Sequence, residues 1–572
     1  MLKNFLKLSL VIGLAVALLS PQAKAQTVVL QIVGSSAFWL EAGQGANYSS
    51  GPINAPCVWS ASGGVVAKDP TVTSSNTDSG SAWVAWTKGS TGTCASPSSD
   101  AKVYAYLNTD SVVGNRCLFN ACTLNYSSPT GTLPAGSILG GAGVTTNCGT
   151  TGECALPSTL VTLLNAKTTN VAATDIRPED AEWAITRALG TSTAIPCGTA
   201  IGSTQYLSLG YANNSVINSA ITGSTKTFNV IKFTLPSTAP NVQVVGATAV
   251  LFAVHSSGDT NGFAVGGTSI TSQNFTSAAL AKYLDGTTNT TSGGEPANVL
   301  LREPLSGTYN TVEYNIANTA ANQTSQDVGK NQATAQRNCM LSGGVEVANP
   351  TLKFTATNKA ERLRAIGTGE ELTEVGTFTN TATTDNNNNL GYAFWSAANF
   401  ASLGAVTHTA YYTVDSVDPL NKTTCSYTGT IPTTSTQLAC IDLHNVANGT
   451  YPAYSLLRMV NTDTTVSATV KSLALAADDF GTLSSHPDFV VPSSMTTIRE
   501  HFTPPAGLTG NTYPSTLTDG DKQFTNTTNC SATPEAGGDV GGVVVPLTSG
   551  TNNNSTWCST NSNTHGQTGS RR

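Results

Sequence analysis

Residues 241–254, NVQVVGATAVLFAV, leave this chain the least freedom. A run this apolar, used as a strand, buries both of its faces. It therefore belongs inside a parallel or mixed sheet rather than on a half-solvated one. Elsewhere, strand-like runs end in small polar loops that open helices: TVVLQIVGSS (27–36) before FWLEAGQGA, and NLGYAFW before SAANFASLG (389–404). AWVAW, KVYAYLNTDSVVGNR (ending in a polar turn), NVLLR and YPAYSLLRMV (451–460) read as further strands. Helices are expected at PEDAEWAITRAL (178–189), at TSQNFTSAALAKYLDG (271–286), stopped by Gly286, and at SMTTIREHF (494–502). Strands alternating with helices define an α/β class.

The chain has 572 residues, enough for more than one core. Only 11% of residues are charged and the net charge is −7. That argues against a nucleic-acid partner, which needs clustered Lys and Arg. Lys3 and Lys7 precede the apolar run LSLVIGLAVALL, and Ala23-Lys24-Ala25 follows it. This pattern is that of a cleavable secretory signal over 1–25, with no cysteine placed for a lipid anchor. Export makes disulfides the expected state of the 12 cysteines. Neighbours in sequence suggest Cys117/Cys122, Cys148/Cys154 and Cys425/Cys440, leaving Cys57/Cys94, Cys197/Cys339 and Cys530/Cys558; zinc is the rival reading, without a C-x-x-C to support it.

No nucleophile elbow, H-E-x-x-H or Walker loop is present, and the six histidines are scattered singly. No enzyme, metal or cofactor is expected. Anion binding has better support. A helix N-terminus offers unpaired N–H groups and partial positive charge. Ser, Thr and Gly just before it add donors and allow close approach. VGSSAFW (33–39), TDSVVGNR (109–116), ATDIRPEDAEW (173–183) and REPLSGTYNTVEY (302–314) have this form. Each alone is equally an ordinary capped helix start.

Taken in order, these segments resemble the phosphate-binding protein of Pst-type ABC transporters, of the type 2 periplasmic-binding-protein fold. QIVGSSAF resembles the family's first loop and ATDIRPEDAEW its S-D-x-P loop. NVQVVGATAVLFAV resembles its hinge strand, and REPLSGT has the spacing of R-x-D-G-S-G-T, with Glu303-Pro304-Leu305 in place of x-Asp-Gly. ITSQNFTSAALAKYLDG, NLGYAFW and NGTYPAYSLLRMV resemble later landmarks. The seven cover roughly residues 27–505.

The resemblance implies a two-lobed α/β protein with mixed sheets and disulfide-bearing insertions. Lobe 1 would run over 26–245, lobe 2 over 246–449, a return to lobe 1 over 450–534, and a polar tail over 535–572. It implies a phosphate site made by Ser35, Ser36, the Ala37 N–H, Ser111, Asp175, Arg302, Ser306, Gly307 and Thr308. Arg302 would supply charge and pair with Asp175. An ionised Asp175 would accept a proton from hydrogen phosphate and repel sulfate. The implied function is a monomeric periplasmic or secreted receptor handing an oxyanion to an inner-membrane ABC permease. A non-transport envelope or adhesion protein on the same fold, and a phosphoester hydrolase, are the alternatives.

Overall fold

A computed structural model describes residues 26–70, 78–126, 155–176, 240–302, 306–317, 360–380, 387–483 and 486–495, apart from single positions, with short pieces elsewhere. The signal segment, most of the 178–189 helix and the pairs Cys148/Cys154, Cys197/Cys339 and Cys530/Cys558 lie outside the described residues, as do Glu303–Leu305.

The first half of the architecture starts with β1 (Thr27–Gly34), α1 (Trp39–Asn47), β2 (Cys57–Lys68), β3 (Asp78–Trp86) and β4 (Lys102–Asn108). It continues with α2 (Ser111–Phe119), β5 (Thr123–Tyr126), α3 (Ser158–Ala166) and β6 (Val171–Thr174). Then come β7 (Asn241–His255), β8 (Asn274–Phe275), α4 (Ser277–Leu284), β9 (Asn298–Arg302) and α5 (Gly307–Val312). The remainder is β10 (Arg362–Ala365), α6 (Thr368–Thr377), β11 (Asn389–Phe394), α7 (Ala397–Gly404), β12 (Thr409–Val414), β13 (Tyr454–Asn461) and α8 (Ser467–Gly481).

One 14-stranded sheet runs β10-β9-β11-β7-β13-β6-β1-β4-β3-β2-β5, edged by the short strand Thr351–Leu352, with β12 and β8 branching from β7. The sheet is mixed. β1 pairs parallel with β4 and β6, and β9 pairs parallel with β10 and β11. β7 pairs antiparallel with all its partners. Its Asn241–Ala249 segment lies against β13, and Val250–His255 against β11 and β12. One strand thus serves both halves of the sheet, which is why every residue from Val244 onward is buried. Strand β1 feeds two separate cores: Leu30 and Ile32 join one cluster, Val33 the other, and Val28 joins Val33 across a register shift between Val28 and Leu30. Helices cover both faces, as such strands demand.

The expected 494–502 helix does not form: a 3-10 turn at Pro492–Ser494 is followed by a strand, Thr497–Arg499, paired with Val544–Pro546. Thr497 and Ile498 are β-branched, which favours strand over helix. The 271–286 helix starts late, at Ser277, because Asn274–Phe275 pairs with β12.

The cysteines of the described residues pair as Cys57–Cys94, Cys117–Cys122 and Cys425–Cys440, with Cα separations of 5.5, 4.7 and 5.8 Å. Their sequence separations are 37, 5 and 15. In the chain-entropy model the longer loop stabilises more: about 4 kcal/mol for Cys57–Cys94 against about 2 kcal/mol for Cys117–Cys122. Urea unfolding of the two double Cys→Ser variants is expected to show a clearly larger loss for the first. Equal losses would contradict this account.

Candidate functional site

Three parallel strands, β6-β1-β4, end side by side, and the chain leaves β1 for a neighbour on each side. Such a switch point opens a crevice at the carboxyl ends of strands. Ser35 and Ser36 follow β1, Asp110 and Ser111 follow β4, and Asp175 follows β6. Arg302 ends β9, from the other half of the sheet.

The loop after β1 is stapled by its backbone. Ser35 N–H donates to the Ala173 carbonyl (2.9 Å), Thr109 N–H donates to the Gly34 carbonyl (2.7 Å), and the Tyr106 hydroxyl donates to the Ser35 carbonyl (2.5 Å). Gly34 has φ +143°, and a Cβ there would lie 1.9 Å from the Ala173 carbonyl oxygen, so only glycine admits this approach. The Ala37 N–H, implied as an anion donor, instead donates to Ser35 Oγ (3.1 Å). Ser36 Oγ reaches across to Thr368 Oγ1 (3.0 Å).

Arg302 is 1% exposed. Its guanidinium donates from Nη1 to Thr368 Oγ1 (2.9 Å) and from Nη2 to Asp110 Oδ1 (3.3 Å). The ion pair seen here is therefore with Asp110 rather than with Asp175, the partner expected from sequence. The backbone N–H of Arg302 donates to the Tyr392 hydroxyl (3.2 Å), and that hydroxyl donates to Gln326 Oε1. Gln326 Nε2 in turn donates to the Tyr309 carbonyl (3.0 Å), tying β9, β11 and α5 together. Thr368 opens α6, whose first turn carries Glu370 and Glu371, favourable at the positive helix end. Glu371 Oε1 accepts from Tyr392 N–H (2.9 Å) and so fixes α6 on β11.

Ser111, Asp175 and Gly307 meet directly. Asp175 N–H donates to Ser111 Oγ (3.1 Å). A Cβ on Gly307 would lie 1.7 Å from Asp175 Oδ1 and 2.5 Å from Ser111 Oγ. Ser306 caps α5, its Oγ accepting from Tyr309 N–H (3.4 Å), and Thr308 is buried beside it. The Asp175 carbonyl accepts from the Ser455 hydroxyl and from Arg458 Nη1 (3.4 Å). Among the described residues Asp175 Oδ1 has no hydrogen-bond partner. Burial pushes the Asp175 carboxyl up to about 7, against the opposing pull of its own backbone hydrogen bond, Arg302 and Arg458. Among the described residues no cluster of three or more His, Cys, Asp or Glu side chains is placed to hold a metal ion.

All four sequence loops thus reach one region. Sequence reasoning missed Asp110 and Thr368, the residues that actually hold Arg302. Asp110 sits inside the quoted TDSVVGNR, and Gly367-Thr368-Gly369-Glu370-Glu371 is itself a helix start rich in small and acidic residues.

No protein-family model matches the chain, and no curated protein matches its sequence. Similar solved structures include an ABC-type phosphate transport receptor from Vibrio cholerae, with 12% identity and a TM-score of 0.23, covering 42% of this chain and 66% of the receptor, just under two thirds of its length. A phosphate-binding protein from Stenotrophomonas maltophilia has 12% identity and a TM-score of 0.27, covering 65% of this chain and 76% of that one. A DING protein has 10% identity and a TM-score of 0.31, covering 88% and 99%. Likeness at this level fixes no ligand.

Two outcomes test the packing. Gly307→Ala is expected to destabilise by about 1–3 kcal/mol through overpacking, and Asp175→Ala in the same chain to recover most of it. Additive losses in denaturant unfolding would contradict direct contact. The second concerns pH. The folded carboxyl of Asp175 titrates near 7 and the unfolded one near 3.8. Between these values the native state keeps a proton that the unfolded chain has released. Stability from this group is therefore full below pH 3.8, falls through that window and stays low above 7. The melting temperature of Asp175→Asn minus that of the wild type is expected to rise from pH 4 to pH 8. A flat difference would refute the shift.

Proposed function

We propose that this chain is an exported solute-binding protein that captures an inorganic oxyanion, phosphate first, between two lobes joined by β7 and β13, and delivers it to an ABC permease of the inner membrane. The observation that carries the reading is an almost fully buried guanidinium in contact with Asp110 and Thr368, with the Ser36, Ser111, Asp175 and Ser306–Thr308 loops converging on the same region.

An anion entering here exchanges places with Asp110 or shares Arg302 with it, and the planar fork of Arg suits tetrahedral oxygens. Hydroxyls of Ser36, Ser111, Ser306 and Thr368 donate to the remaining oxygens. Asp175 discriminates. When ionised it accepts a ligand O–H, which hydrogen phosphate has and sulfate lacks. A ligand that touches both lobes favours their closed arrangement by its differential affinity. Disulfides support an oxidising, exported setting.

Calorimetric titration of the purified chain is expected to show phosphate binding at pH 8 and little sulfate binding. Arg302→Ala is expected to weaken phosphate by at least roughly 30-fold with the melting curve still cooperative. Asp175→Asn is expected to admit sulfate. Absence of phosphate binding in the wild type would remove the proposal, and continued exclusion of sulfate by the Asn variant would remove the role given to Asp175.

A further inference from the structure

A cavity of about 530 Å³ lies against the Arg302 cluster. Ser36, Asp110 and Thr368, all within the hydrogen-bonded group around Arg302, also line it. A water takes roughly 30 Å³ of liquid, and a tetrahedral oxyanion is only a few times larger. The cavity instead falls within the roughly 300–1,000 Å³ of sites for small organic ligands. Nor is it merely a cleft waiting to shut. The two halves of the sheet already touch beside it, at Ser36–Thr368 and Arg302–Asp110.

The lining decides the chemistry. Ser81, Asn108 and Asn399 offer a hydroxyl and two amides, and Trp39 and Leu40 an apolar wall. Asp110, Glu370 and Glu41 bring carboxyl groups, and among the described residues no Lys, Arg or His lines the space. Burial, then the facing Asp488 carboxylate, raises the Glu41 carboxyl well above the usual range. Asp110 and Glu370 accept hydrogen bonds from hydroxyls and repel a second anionic group, while Glu41, kept protonated, carries a donor O–H. Resting on the reading of Arg302 as an anion site, we infer that the site also takes a phosphate monoester of a small neutral polyol, with the phosphoryl group at Arg302 and the hydroxylated tail in this cavity.

The test, run at pH 6 where Asp175 keeps its proton, compares inorganic phosphate with glycerol phosphate on the wild type, Ala398→Trp and Ser81→Tyr. Ala398 is exposed on the first turn of α7, and Ser81 lies on β3; both line the cavity. The wild type is expected to bind both ligands. Each filling variant is expected to lose glycerol phosphate by roughly tenfold or more while inorganic phosphate stays within about threefold. Phosphate binding without glycerol phosphate binding, or ester binding unchanged in both variants, overturns this inference alone. Binding of neither ligand to the wild type overturns the anion-site reading beneath it.

Discussion

Arg302 is a cation taken out of water at the meeting of the two halves of the sheet, and most of the surrounding architecture is arranged around that fact. A buried guanidinium must be paired or it destabilises the fold by several kcal/mol. Here the partners come from elements far apart in sequence: Asp110 after β4 and Thr368 at the head of α6. Ser36, after β1, closes the group by its contact with Thr368. Each partner is itself fixed, the β1 loop by backbone bonds to Ala173 and Thr109, and α6 by Glu371 on Tyr392 N–H. Thr368 and Asp110 both accept from the guanidinium, and Asp110 brings it an opposite charge.

Asp175 adds a second constraint. It is buried and packs against Gly307 so closely that no side chain fits between them. With Arg302 engaged by Asp110, burial outweighs attraction and the carboxyl titrates near neutrality, at about 7. Its charge is therefore set by what else occupies the region. On the proposed reading, a protonated Asp175 would tolerate any oxyanion, and an ionised one would select for a ligand with a proton to give. The Asp175–Arg302 pair expected from sequence would have fixed the ionised state; the observed geometry leaves it adjustable.

The framework was legible from residues. NVQVVGATAVLFAV has no polar face to offer, and it forms the 15-residue strand that both halves share. Small residues after the strands marked the loops correctly, because close approach at Gly34 and Gly307 leaves room for nothing larger. What stayed hidden depends on tertiary neighbours. The choice of Asp110 over Asp175 as the partner of Arg302 turns on where the ends of β4 and β6 fall relative to β9. Thr368 is an unremarkable helix-opening threonine until α6 docks on β11. Likewise, nothing local told that Thr497–Arg499 finds a strand partner at Val544–Pro546.

The central claim, that Arg302 is an anion receptor resting on a carboxylate, is tested most directly by a crystal structure grown in saturating phosphate. The account predicts a tetrahedral ion within hydrogen-bonding distance of the Arg302 guanidinium, the Ser36 and Ser306 hydroxyls and Asp175, with the contact to Asp110 lengthened or shared. Arg302 still seated on Asp110 and Thr368, with no ion in the region, would contradict it.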